Sequence, residues 1–162
     1  MIGVSNIVRI KRFSLEKEFE NILKTYPYLI DKTLVDGRVE SQYKIVLSNG
    51  TTRYIDIIFF KKDEIVIIEL KKDKVIKKNI QQLNEYVAHL KEIYPNQKIR
   101  GILVGRSLES NLEYSLNLRG LIFKKYFKDI PLELKICTKC RKAVSRSLEK
   151  CVWCGNQTFL KI

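Results

Sequence analysis

Asp56, the Glu69-Leu70-Lys71 triplet closing an apolar run, and Gln82 with Tyr86 are the residues whose types and spacing could do chemistry. In an extended strand alternate side chains share a face, so Glu69 and Lys71 project together with Ile65 and Ile67. Glu69 therefore ends a buried face with a charge, which is costly unless a partner or a metal meets it. Asp56 interrupts its own apolar run in the same manner, between Ile55 and the Ile57-Ile58 pair. Carboxylates on neighbouring strands lie close enough to share one Mg²⁺. Such an ion polarises a phosphate ester and lowers the pKa of a bound water, while Lys71 would orient that water or stabilise developing charge. Gln82 and Tyr86 fall one helical turn apart and share a helix face. Each piece also has an ordinary reading: a solvated strand rim, an ion pair, a helix edge with a half-buried tyrosine. The order and spacing together favour the chemical one.

A second constellation lies near the C-terminus. Cys137-x-x-Cys140 and Cys151-x-x-Cys154-Gly155 form the spacing of a zinc ribbon. Each Cys-x-x-Cys turn presents two thiolates, and two such turns fill the tetrahedral shell of one Zn²⁺. A closed Cys₄ shell leaves no open position for chemistry, so the expected Zn²⁺ is structural. Lys139, Arg141, Lys142, Arg146 and Lys150 surround these turns, with Trp153 among them. The ribbon is thereby a DNA grip, a folding staple, or a docking module for a protein partner. The run Lys71, Lys72, Lys74, Lys77 and Lys78 borders the carboxylates and could track phosphates or be a solvated loop. The lone histidine, His89, sits mid-helix among ordinary residues and is not expected to act in catalysis.

The elements that must position these groups are legible in the periodicity. Ser14 can cap a helix reaching about Tyr26, with Leu15, Phe19, Ile22 and Leu23 as its stripe and Pro27 helping to end it. Strands are expected at Tyr43–Leu47, Arg53–Phe60 and Glu64–Leu70, the first two joined through Asn49-Gly50. A helix follows over about Asn79–Tyr94, then a strand at Arg100–Val104, a helix at Leu108–Leu118 and a strand at Leu121–Tyr126. Hairpin strands followed by strand–helix alternation predict an α/β domain, a mixed central β-sheet flanked by helices, plus the small zinc ribbon. Pro131 marks the expected boundary, giving domains at 1–130 and 131–162.

The chain has 162 residues, room for one core and a small appendage. Its 31 lysines and arginines against 18 acids give a net charge of +13, which points to a polyanionic partner or to a lysine-rich thermophile surface. Arg9, Lys11 and Arg12 break the N-terminal stretch, so no signal peptide is expected, and the apolar runs are too short to span a membrane. A soluble, cytoplasmic protein is the expectation.

Four segments, Glu16–Pro27, Tyr54–Lys71, Gln82–Tyr86 and Arg100–Leu108, together resemble the PD-(D/E)XK nuclease superfamily in its RecB-like form. They are more closely similar to the catalytic domain of the NucS/EndoMS endonucleases, over about residues 14 to 127. That resemblance implies a restriction-endonuclease-like fold and cleavage of DNA with Mg²⁺ or Mn²⁺. It makes Asp56 and Glu69 metal ligands, Lys71 the catalytic lysine, and Gln82 and Tyr86 supports of the site or DNA contacts. A glutamate of the first helix joins the site in that family. Among Glu16, Glu18 and Glu20, the position nearest the edge of the apolar stripe is Glu16. In two places the chain departs from the family. About a dozen residues precede the first helix where the family has a DNA-binding and dimerising domain, and cysteines replace its clamp-recruiting tail. The resemblance therefore does not by itself imply the family's mismatch specificity or dimer geometry for this chain.

The expected function is metal-dependent hydrolysis of phosphodiesters in structured (branched, flapped or mismatched) or duplex DNA. The competing reading is a non-catalytic DNA-binding or complex-assembly protein with a degenerate nuclease fold. A homodimer would be the simple way to cut both strands.

Overall fold

The structure, a computed structural model, describes residues 8–9, 23–125, 129–130, 133–145 and 148–160. The chain divides into two compact units, one formed by residues 36–126 and the other by residues 1–35 together with 127–162.

The first unit is built on a five-stranded sheet in the order β2-β3-β4-β6-β8, where β2 is Arg38–Val46, β3 Thr52–Phe60, β4 Glu64–Leu70, β6 Lys98–Gly105 and β8 Ile122–Lys125. The strands β2, β3 and β4 run antiparallel, whereas β6 and β8 join in parallel, which makes the sheet mixed. The β2–β3 hairpin turns at Asn49-Gly50. Gly50 adopts φ +79, and the Asn49 side chain accepts the Thr51 N–H at 2.9 Å. Strand β4 lies at the centre of the sheet and is buried from Ile65 to Leu70, so its sequence is a nearly continuous apolar run rather than an alternation.

Between β4 and β6 the chain crosses over through β5 (Lys74–Val75) and helix α1 (Lys77–Ile93). Asn79 caps α1, its side chain accepting the Ile76 N–H at 2.9 Å. Ile80, Leu83, Val87 and Leu90 recur at helical spacing and are buried in the core with Ile55, Ile58, Ile65, Ile67 and Leu103 of the sheet. Gly101 of β6 allows this approach. A Cβ there would stand 2.8 Å from Leu121, 3.0 Å from Val87 and 3.2 Å from Leu83.

Two expectations are corrected, and a third is tested only in part. Strand β2 begins at Arg38 rather than Tyr43, because its first half is a polar edge segment without an apolar pattern. The helix expected at Leu108–Leu118 is shorter. Ser107–Leu108 (β7) pairs in parallel with β5, Asn111 takes a left-handed φ of 65°, and helix α2 covers only Glu113–Leu118. The first helix is described only at residues 23–25, which are helical as expected, before a 3₁₀ turn over Pro27–Leu29. The rest of it, with Glu16, lies outside the described residues.

The second unit contains a small antiparallel sheet around β9 (Glu133–Cys137). It pairs with β10 (Ala143–Ser145), with β11 (Phe159–Leu160) and with β1 (Val8–Arg9). Sequence periodicity did not reveal β1, since two residues carry no pattern. Trp153 is half-buried, edge-on to Tyr28 with ring centroids 5.2 Å apart, and Lys142 lies over its ring at 4.3 Å. Among the described residues no helix is long and apolar enough to cross a membrane.

Candidate active site

Asp56 and Glu69 face one another where the β3–β4 ladder ends. The last cross-strand pair is Ile57 with Ile68, and beyond it the carboxylates take over the backbone hydrogen bonding. The Leu70 N–H donates to Asp56 Oδ2 at 2.8 Å, and the Asp56 N–H donates to Glu69 Oε1 at 3.2 Å. Each carboxylate is thus held by the opposing strand, satisfying buried backbone donors that would otherwise be unpaired.

A break in alternation delivers Asp56 to this position. Ile55 and Ile58, three residues apart, both belong to the core beneath α1, so strict alternation fails across Asp56. The partner strand breaks at the same level. Ser41 pairs with Ile57 and Tyr43 with Ile55, while Gln42 between them has φ +51. Its amide Nε2 donates to Asp56 Oδ1 at 3.3 Å. Sequence reasoning did not single out Gln42. The observed register, symmetric about Asn49, places it opposite Asp56, whereas counting from a two-residue Asn49-Gly50 turn would have placed it opposite Ile57.

Glu69 is 2% exposed, the one buried charged residue of the described chain. Burial, followed by the neighbouring Asp56 charge, pushes its carboxyl up to about 8, and Lys71 only partly offsets this. Lys71 Nζ lies 3.3 Å from Glu69 Oε2, on the shared strand face that the sequence predicts. On α1, Gln82 Nε2 donates to the Tyr86 hydroxyl at 2.7 Å. The Tyr86 side chain is fully buried. Burial raises its pKa, the Gln82 bond and the charges of Arg53 and Lys71 lower it, and Glu69 raises it. The phenol therefore lies within electrostatic reach of the carboxylate pair. Hydrogen bonds join Asp56, Glu69 and Lys71 in one group and Gln82 with Tyr86 in another, and the Glu69 charge acts on the Tyr86 phenol; Glu16 is outside the described residues. His89 belongs to a different hollow, beside Leu47, Ser48 and Asn49.

Two carboxylates on adjacent strands form a hard oxygen donor set that suits a divalent cation such as Mg²⁺. Their mutual repulsion, which raises the Glu69 pKa, is what a bound cation would relieve.

The cysteines form a second cluster. The Sγ atoms of Cys137, Cys140, Cys151 and Cys154 lie within 4.8 Å of one another, with Cys137–Cys154 at 3.6 Å and Cys140–Cys151 at 3.5 Å. Thiolates about 2.3 Å from a tetrahedral ion stand about 3.8 Å apart, whereas a disulfide requires about 2.0 Å. All four thiols are free, and the set could hold a metal such as zinc. At Cys137 burial works against ionisation. The backbone N–H groups of Cys140 and Lys139 and the Asn156 amide outweigh it and bring the thiol down to about 6.

The chain is thus an α/β protein, with paired carboxylates and a lysine at the strand ends of a mixed sheet in one unit and a four-cysteine cluster in the other. The model of the endonuclease NucS C-terminal domain matches residues 15–144, and the chain belongs to that family of DNA endonucleases. Endonuclease NucS of Pyrococcus horikoshii is 43% identical over 72 residues, 44% of this chain and 28% of its own length. Endonuclease NucS of Methanocaldococcus jannaschii is 32% identical over 111 residues, 68% of this chain and 40% of its own length. Among solved structures, an EndoMS–dsDNA complex superposes with a TM-score of 0.56 at 28% identity, covering 72% of this chain and 47% of that one. A repair endonuclease from Pyrococcus abyssi does so with a TM-score of 0.56 at 30% identity, covering 71% and 48%. The chain thus spans less than half the length of these relatives.

Proposed function

We propose that the protein is a metal-dependent DNA endonuclease of the PD-(D/E)XK type. It would hydrolyse phosphodiester bonds in structured or duplex DNA, with residues 1–130 as the nuclease and 131–162 as a zinc ribbon. The observation that carries this reading is the reciprocal clasp of Asp56 and Glu69, whose carboxylates replace the strand ladder at one level. It holds two acidic groups in a fixed relation before any substrate arrives, the arrangement that hydrolysis at phosphorus needs.

In this reading Asp56 and Glu69 hold a Mg²⁺ or Mn²⁺ ion, which when bound polarises the phosphate and acidifies water. Lys71 stands on the Glu69 side with its ammonium free to turn from Glu69 Oε2 to a phosphate oxygen or the attacking water. Gln82 fixes the Tyr86 hydroxyl, and together they set the helix-side wall of the site. Glu16 is assigned as a further acidic group of the site by the family resemblance. Cys137, Cys140, Cys151 and Cys154 hold a structural Zn²⁺, and their surroundings add a grip on DNA or on a protein partner. Two copies of the chain acting as a homodimer would cut both strands, and the working compartment is the cytoplasm.

The test is cleavage of labelled duplex, mismatched, flapped and single-stranded DNA with Mg²⁺ or Mn²⁺, beside Asp56→Asn and Glu69→Ala. Loss of about 10³-fold or more in rate, with folding retained, is the expected outcome for either variant. Undiminished cutting by either one would remove the site assignment. Tight, salt-sensitive binding without cutting by the parent would instead favour a DNA-binding or assembly protein.

A further inference from the structure

Beside the carboxylate cluster is a cavity of about 390 Å³ lined by Arg53, Lys78, Gln81, Gln82 and Glu85. Arg53 comes from β3, three residues before Asp56, and the others come from the first turns of α1. Among the described residues the lining has no aliphatic or aromatic side chain, unlike the mostly apolar pockets that take small organic ligands. Among the described residues neither of its cations is in an ion pair, and the Arg53 guanidinium bonds only to the Thr52 carbonyl, at 3.2 Å. Among the described residues, two cations and two side-chain amides line one polar hollow and offer donors to an oxyanion, with Glu85 as the opposing charge.

The cavity is joined to the cluster through Gln82, which lines it and also donates to Tyr86 at 2.7 Å. The charges of Arg53 and Glu69 both act on that same Tyr86 phenol, in opposite directions. A strand of nucleic acid whose phosphate lies against Asp56 and Glu69 therefore has its neighbouring backbone at this hollow. We infer that Arg53, Lys78 and Gln81 form a subsite for a DNA backbone phosphate flanking the one cleaved, rather than for a base or a free small molecule. This inference rests on the endonuclease reading above. Within the run Lys72, Lys74, Lys77 and Lys78 it selects Lys78, and it adds Arg53, which stands outside that run. Glu85 limits the affinity of the subsite, so neutralising it has the opposite effect from removing a cation.

The test is duplex-DNA affinity over about 50–200 mM salt in magnesium-free buffer, for the parent, the Arg53→Gln/Lys78→Gln double variant and Glu85→Gln. Losing one phosphate contact should reduce the slope of log K against log salt by about 0.9 in the double variant. Glu85→Gln should bind more tightly than the parent. With Mg²⁺ added, the double variant should show a raised KM and an unchanged kcat, since neither side chain is assigned to the reacting atoms. A slope and affinity equal to the parent's in the double variant, while the parent binds and cuts DNA, would overturn the subsite and leave the nuclease standing. A reduced slope in the double variant of a parent that binds but never cuts would keep Arg53 and Lys78 as a phosphate contact and overturn both the nuclease and the subsite's place beside a cleaved phosphate. Absence of salt-sensitive DNA binding by the parent would overturn both.

Discussion

Gln42 is in the left-handed region at φ +51, where a residue with a Cβ sits at a cost of about 1–2 kcal/mol. The conformation coincides with the break in both ladders at Asp56 and with the amide bond to Oδ1. Strain of this kind persists where the surroundings over-determine it, most often at functional positions. Gln42→Gly should therefore raise stability by about 1 kcal/mol while slowing cleavage, because the backbone relaxes and Asp56 loses a clasp. Thermal melts and cleavage rates on the same preparation would check this; unchanged cleavage would reduce Gln42 to a turn residue. Glu69 gives a second prediction at this scale. Its carboxyl binds a proton more tightly in the folded chain, near 8, than at its ordinary 4.5. Between those values folding takes up protons, so the stability that the neutral acid retains at low pH is lost as pH rises through about 8. In magnesium-free buffer Glu69→Gln should melt above the parent at about pH 9 and close to it at about pH 4. A parent at least as stable as the variant under alkaline conditions would refute the burial argument.

At the scale of elements, position 101 sets how closely α1 lies on the sheet. Gly101→Val would drive a side chain into Leu121, Val87 and Leu83 and cost about 1–3 kcal/mol. Because α1 also carries Gln82 and Tyr86, the same substitution should lower cleavage by folded protein; urea midpoints and kcat measured together would show whether the two losses travel together. Elements with strong patterns were legible in the sequence. Strand β4 was read at its observed limits, Glu64–Leu70, because every side chain from Ile65 to Leu70 is buried and a charged residue opens it. From it followed the shared face of Glu69 and Lys71. The Gln82–Tyr86 pair was legible from helical spacing alone. Elsewhere the pattern misled. Leu108, Leu112 and Leu116 are spaced four apart as on a helix, yet Leu108 is spent on pairing with β5. The polar half of β2 had no period to read, and with it went Gln42. No spacing rule shows a left-handed residue.

For the whole molecule, the cysteine cluster is the point of greatest leverage. Stripping the metal or replacing Cys137 by Ser should disorder the sheet around β9, because the ligands Cys137 and Cys140 lie in and just after that strand. The expected readout is rapid proteolysis within residues 133–160, with the zinc-loaded parent protected. Equal resistance of both would mean that the ribbon folds without metal.

The pairing of Val8–Arg9 with Glu133–Leu134 adds a topological consequence. The unit of residues 36–126 is inserted between two stretches of chain that this pairing ties together. In polymer terms the insert is a closed loop, and closing a loop removes entropy from its unfolded ensemble that grows with the logarithm of loop length. While the tie survives, the catalytic unit unfolds into fewer conformations than a free-ended chain of equal length. Its folding equilibrium would thereby be coupled to a metal held by the four cysteines, none of which belongs to it.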